Sequence, residues 1–111
     1  MYSCGEFIRG YTEMIVLSIL DKQDDYVYNI SNTINAQGGG LVTITNPSLL
    51  IVLKKMHEDG KVSSFNVLNE KNVNRKFYTI TDRGREYYSE RLADYLASLE
   101  ALKRLLKGEE K

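Results

Sequence analysis

The chain has 111 residues, 42% of them hydrophobic and 27% charged, a profile of one compact soluble domain rather than a disordered or fibrous chain. With 15 basic and 15 acidic residues the formal net charge is +0 and the pI is near 6.6, so any surface for a polyanion has to be local. A single cysteine, Cys4, excludes an intrachain disulfide and fits a reducing cytoplasm, and MIVLSIL is too short to span a bilayer or serve as a signal-peptide core.

The first apolar run, Phe7 to Leu20, begins with helical spacing and becomes apolar on nearly every side, which predicts a helix covered from more than one direction. The polar run DKQDD ends it. Asp24 or Asp25 is expected to cap a second helix reaching about Gln37, with Tyr28, Ile30 and Ile34 as its buried set. Gly38 to Gly40 stop that helix; without a following Lys and Ser/Thr they read as a flexible connector rather than a phosphate loop.

A third helix is predicted within ITNPSLLIVLKKMHEDGKV, with Asn46 as N-cap, Pro47 in the first helical position and Gly60 as the stop. At about 100° per residue, Leu49, Val52, Leu53 and Met56 share the core face. Pro47, Leu50, Ile51, Lys54 and Lys55 then point outward, which puts two bulky apolar side chains where solvent is expected.

After Gly60 the period changes. KVSSFNVL, with Val62, Phe65 and Val67 as apolar candidates, and RKFYTIT read as two strands joined by the polar tip NEKNVN, which carries Lys71. Three helices and a hairpin make a winged helix-turn-helix, which presents its third helix to the DNA major groove. The fold class expected is mainly α with a small β-hairpin, the winged unit spanning residues 1–81 and a C-terminal dimerisation helix and tail spanning 82–111.

In that last segment Tyr88, Leu92, Tyr95, Leu99, Leu102 and Leu106 recur with spacings of four and three, and Leu96 and Leu105 widen the seam. Such a helix, about 39 Å long at 1.5 Å per residue, exceeds what a small domain can cover. A second copy of the chain is the expected cover, and packing of the first half on its own core with a frayed tail is the alternative.

The blocks IRGYTEMIVLSIL, DDYVYNI, ITNPSLLIVLKKMHEDGKV and NRKFYTITDRGREYY, in that order over residues 8–88, resemble the PadR family of bacterial transcriptional regulators. The resemblance implies a winged-helix homodimer joined by the last helix, a repressor acting on double-stranded DNA, and in some members a phenolic or other aromatic effector. Leu50 and Ile51 stand where the family usually has Tyr and Pro, which leaves apolar contact with thymine methyls as their means of reading bases.

The DNA-contacting set expected from helix and wing is Asn46, Ser48, Leu50, Ile51, Lys54, Lys55, Lys71, Arg75 and Lys76, with Lys61 also counted in the basic cluster. An aromatic effector, if the chain takes one, is placed where Tyr11, Tyr88 and Tyr95 could meet at the dimer centre, and core packing of these tyrosines is the alternative reading. His57 in HEDG lacks companions for a metal site, and neither the Asp and Glu pairs nor Ser63 and Ser64 form a catalytic arrangement, so no enzyme activity and no cofactor are expected. On residues alone, two other classes stay open: a winged-helix module whose third helix binds a protein, and a ligand-binding dimer with vestigial DNA affinity.

Overall fold

The computed structural model describes residues 11–108. The readings that fall on Cys4, on Phe7 to Gly10 and on Glu109 and Glu110 lie outside the described residues. Four helices and one hairpin follow in order: α1 (Thr12–Lys22), α2 (Val27–Gln37), α3 (Asn46–Glu58), β1 (Val62–Leu68), β2 (Asn74–Ile80) and α4 (Asp82–Lys107). This is the winged helix-turn-helix with a long C-terminal helix.

Helix α1 is apolar around most of its circumference because it lies at the centre: α2 and α3 pack on it from one side and α4 from another. Val16, Leu17 and Leu20 are buried there with Ile30 and Ile34 of α2, Leu49, Leu53 and Met56 of α3, and Val62, Tyr78 and Ile80 at the foot of the hairpin. Ile15, Ile19, Val52, Tyr87 and Tyr88 pack against this cluster.

Between α1 and α2 the expected aspartate cap is displaced by one residue. Tyr26 is the N-cap and its side chain caps nothing. Asp25 cannot take that role because its backbone is committed to the hairpin: its N–H donates to Tyr78 O at 3.2 Å, and its O accepts from Tyr78 N–H at 2.7 Å. Its buried carboxylate accepts instead from Tyr26 N–H at 3.0 Å and from the Asn29 amide at 3.0 and 2.8 Å, which satisfies it without a cation. Tyr28 is not buried as expected but 63% exposed: it lies two residues before Ile30, across a helix that turns about 100° per residue.

The three glycines form a hydrogen-bonded turn. Leu41 and Val42 N–H both donate to Gly38 O, and a Cβ on Gly38 would lie 2.2 Å from Val42 O, so this helix end needs glycine for closeness as well as freedom. The side chain of Asn35 then clamps Ile44, accepting its N–H at 2.8 Å and donating to its O at 3.2 Å. That fixes the entry to α3.

The hairpin is antiparallel, with Val62 opposite Ile80, Phe65 opposite Phe77 and Leu68 opposite Asn74. Its apolar residues are divided between faces, which is why the alternation is unclear in the sequence. Val62, Tyr78 and Ile80 face the core, while Phe65 stacks on Phe77 with centroids 5.8 Å apart and Tyr26 meets Phe77 edge-on at 5.2 Å on the other face.

Thr81 starts α4 with a hydroxyl that accepts Gly84 N–H at 3.0 Å and donates to Gly60 O at 2.6 Å. One side chain thus caps α4 and ties it to the end of α3. Gly84 sits against Lys61, whose carbonyl oxygen would be 2.1 Å from an added Cβ. From there α4 runs outward; the radius of gyration is 16.2 Å and the long axis 60 Å, against about 13 Å expected for a compact domain of 100 residues.

Candidate nucleic-acid interface

Helix α3 begins one residue earlier than its proline suggests. Thr45, not Asn46, is the N-cap, its Oγ1 accepting Ser48 N–H at 3.3 Å and donating to Ser48 Oγ at 3.0 Å. Asn46 is turned instead toward α2, where its Oδ1 accepts the Ser31 hydroxyl at 2.6 Å. The Ser31 hydroxyl also lies 3.0 Å from Tyr28 O in its own helix, and its shorter bond to Asn46 links the two helices of the helix-turn-helix.

With Leu49, Leu53 and Met56 buried, the outer face of α3 resolves into two strips. Leu50, Lys54, His57 and Glu58 face the hairpin and, with Lys76 and Tyr78, line a cleft of about 430 Å³. Ser48, Ile51 and Lys55 lie farther round, at i, i+3 and i+7 spacing. Ile51 is 71% exposed and Leu50 only 47%: one forms the crest of the helix and the other a wall of the cleft. The adjacent apolar pair of the sequence therefore splits into two different surroundings.

The cations divide in the same way. Lys61 is withdrawn from the surface, its Nζ 3.0 Å from Glu13, 3.7 Å from Asp59 and 3.7 Å above the Tyr87 ring. It joins α1, α3 and α4 and leaves the basic cluster in which the sequence had counted it. Lys55 pairs with Asp59 at 3.6 Å. Lys54, Lys71, Arg75 and Lys76 make no ion pair among the described residues.

Neighbouring residues on a strand point to opposite faces, so Arg75 and Lys76 diverge. Lys76 lines the cleft with Lys54, its Nζ 5.7 Å from the centre of the Tyr78 ring, and Arg75 lies 4.3 Å above the Tyr26 ring on the far face. Lys71 rides the tip. Tyr28, at the start of α2, is exposed although its sequence position suggested a core residue; its placement opposite Ile30 was the available signal.

At the other end of the molecule Tyr11 meets Tyr95 edge-on, with centroids 5.4 Å apart. They line a cleft of about 220 Å³ with Met14, Arg91, Asp94 and Ser98. Tyr88 packs on the core instead, so two of the three tyrosines expected around an effector come together. Along α4, Leu92 and Leu99 are half-buried, whereas Leu102 and Leu106 are 50% and 77% exposed. No group of three or more His, Cys, Asp or Glu side chains that could hold a metal ion occurs among the described residues, and none of the described helices is long and apolar enough to cross a membrane.

Comparison with known proteins gives a family match. The model of the PadR-like family of transcriptional regulators matches residues 16–90. A transcriptional regulator from Clostridium thermocellum is 27% identical with a TM-score of 0.80, over 89% of this chain and 96% of its own. A PadR-like transcriptional regulator from Bacillus cereus, 24% identical, superposes with a TM-score of 0.83 over 94% of this chain and 99% of its own. PadR from Bacillus subtilis in complex with operator DNA, 21% identical, gives 0.68 over 74% of this chain and 46% of that one.

Proposed function

Because this chain belongs to the PadR-like family of transcriptional regulators, we propose that it is a cytoplasmic homodimer that binds operator DNA sequence-specifically and represses transcription. The observation that carries this reading is the coincidence of the uncovered face of α3 with Lys54, Lys71, Arg75 and Lys76, cations that no carboxylate among the described residues neutralises. Residues 1–81 form the reading unit and 82–111 the assembly unit. Helix α3 enters the major groove with Ile51 foremost and Ser48, Leu50, Lys54 and Lys55 around it, and Asn46 reaches DNA only through its amide N–H groups. Lys71, Arg75 and Lys76 hold phosphates on either side of the ribbon.

The assembly seam is Tyr88, Leu92, Tyr95, Leu99, Leu102 and Leu106, and the exposed leucines support it, because a contiguous exposed apolar strip marks a protein contact. The cleft at Tyr11 and Tyr95, which Tyr88 does not line, is the place for a flat aromatic effector that stacks and takes one or two hydrogen bonds. Titration of intrinsic tyrosine fluorescence with phenolic acids tests it: a saturable response that Tyr95→Ala removes is expected.

The test of the main reading is binding to DNA from upstream of the chain's own gene. A footprint is expected, with affinity that falls steeply with salt as counterions are released. The Lys71, Arg75, Lys76 triple alanine variant is expected to weaken binding to all duplexes alike and flatten the salt slope, and substitution of Ile51 to change the preferred sequence. The exposure of Leu50 and Ile51 favours one other reading, a protein partner for α3; salt-insensitive capture of a protein with no DNA binding would establish it instead.

A further inference from the structure

The two strands of the hairpin have unequal surroundings. β2 is bonded on both sides, to β1 along its length and through Tyr78 to Asp25, and it carries Arg75 and Lys76. β1 is an edge. Its sequence, VSSFNVL, has no charge and no proline, and its register runs from Val62 to Leu68 without a bulge. Those are the devices by which an edge strand avoids pairing with another chain.

The hydrogen bonds at the two ends of the hairpin fix which way the β1 backbone points. Lys61 O accepts from Thr81 N–H at 3.1 Å at the foot, Asn69 N–H donates to Val73 O at 3.0 Å at the tip, and in an antiparallel pair the bonded residues alternate. Ser63, Phe65 and Val67 therefore bond β2, whereas Ser64, Asn66 and Leu68 aim N–H and C=O at the free edge. Tyr78, opposite Ser64, obeys the same rule, since its N–H and C=O turn away from β1 to Asp25. No other segment of the described chain bonds the outward groups of Ser64, Asn66 and Leu68.

We propose that this edge pairs antiparallel with β1 of a second copy of the chain, with Asn66 on the two-fold axis. In that register the outward groups of Ser64 meet those of Leu68 of the second copy, Asn66 meets its own equivalent, and Phe65 lies opposite Val67 of the second copy. Phe65 and Val67 are 41% and 40% exposed in the single chain, and an aromatic side chain opposite a β-branched one is a favourable cross-strand pair. The two Asn66 amides, each a donor and an acceptor, complement one another. An uncharged strand sets no like charges together in a symmetric pairing and has nothing with which to select a charged peptide, so its own copy is the partner that fits. The contact falls well short of the roughly 1,000 Å² of a stable interface, and it acts between copies already held side by side. Resting on the DNA-binding reading, those copies are dimers on adjacent operator sites. Lys71, Arg75 and Lys76 lie on the tip and on β2, which leaves β1 free of phosphate, and the α4 seam is elsewhere on the chain, so both contacts form together and make occupancy cooperative.

Duplexes with two copies of the footprinted site, spaced in single base-pair steps over a helical turn of about 10 bp, are titrated with the full chain and with Asn66→Pro. The proline removes an N–H that β2 does not use, so melting temperature and single-site affinity are expected to be unchanged. Should the melting temperature fall, Asn66→Lys, which sets like charges on the axis, is read in its place. The parent is expected to fill the second site about tenfold more tightly than the first at a favoured spacing, and the variant to fill the two independently. In concentrated protein without DNA, Asn66→Cys in a Cys4→Ser background is expected to form a disulfide between copies. Independent filling by the parent at every spacing, or cooperativity that survives in the variant, overturns the pairing and leaves the DNA-binding reading standing. Failure of the parent to bind any duplex overturns that reading instead, and the absence of a disulfide through position 66 then overturns the pairing as well.

Discussion

The two halves of α4 carry one apolar repeat in opposite surroundings. In the first turns Gly84 is pressed against Lys61, and Tyr87 and Tyr88 pack on the core. In the last turns the same repeat leaves Leu102, Leu105 and Leu106 at 50%, 78% and 77% exposure. The inner half is held by its own domain, and the outer half is an amphipathic helix whose apolar face the rest of the described chain does not cover. Helical periodicity thus identifies which face is apolar, and only the fold shows how far along that face the chain can cover itself.

The sharpest way to break this contrast is to place a charge in the seam of the outer half. If the proposed dimer forms through this seam, Leu99→Lys should yield monomers in sedimentation velocity and lose the proposed operator binding, while far-ultraviolet dichroism keeps its helical signal. A parent that sediments as a monomer at micromolar concentration would leave the outer leucines without a second copy to cover them.

Next in size is the inner half. Gly84→Ala forces a Cβ to 2.1 Å from Lys61 O and 2.9 Å from the Ile80 side chain, and overpacking of this kind costs about 2–3 kcal/mol. Urea unfolding should show it as a lower midpoint with an unchanged slope. An unaffected midpoint would mean that the junction of α3 and α4 yields more easily than its geometry implies.

Thr81→Ala removes both the cap of α4 and the bond to Gly60 O, a loss of about 1–2 kcal/mol, whereas Thr81→Ser should retain most of the stability. Lys55→Ala should change stability by less than about 0.5 kcal/mol, because its pair with Asp59 spans 3.6 Å with side chains 66% and 34% exposed and such surface pairs contribute little. The same Lys55 substitution is expected to weaken the proposed DNA binding, which separates a DNA contact from a structural one.

The element order, the core face of α3 and the hairpin were legible in the sequence because each rests on short-range chemistry: the periods of apolar residues, the proline at one end of α3 and the glycine at the other. The site was legible only in outline. Lys61 resembled the other cations until its chain direction after Gly60 carried it under α4 to Glu13. Arg75 and Lys76 formed a basic pair in the sequence, and strand alternation sent them to opposite faces. Leu50 and Ile51 looked equivalent, and the hairpin beside α3 made one of them a wall.

What the sequence determined by itself is which segments are helical or extended and which side of each is apolar, since those follow from dihedral preference and side-chain spacing within a few residues. Tertiary structure decided the pairings: Asp25 gave up the cap of α2 because its backbone joins Tyr78, Asn46 yielded the cap of α3 to Thr45 and took the Ser31 hydroxyl, and Tyr28 was left outside. Each is a choice between partners distant in sequence, and the free energy of a buried hydrogen bond depends on what else is near enough to desolvate and satisfy it.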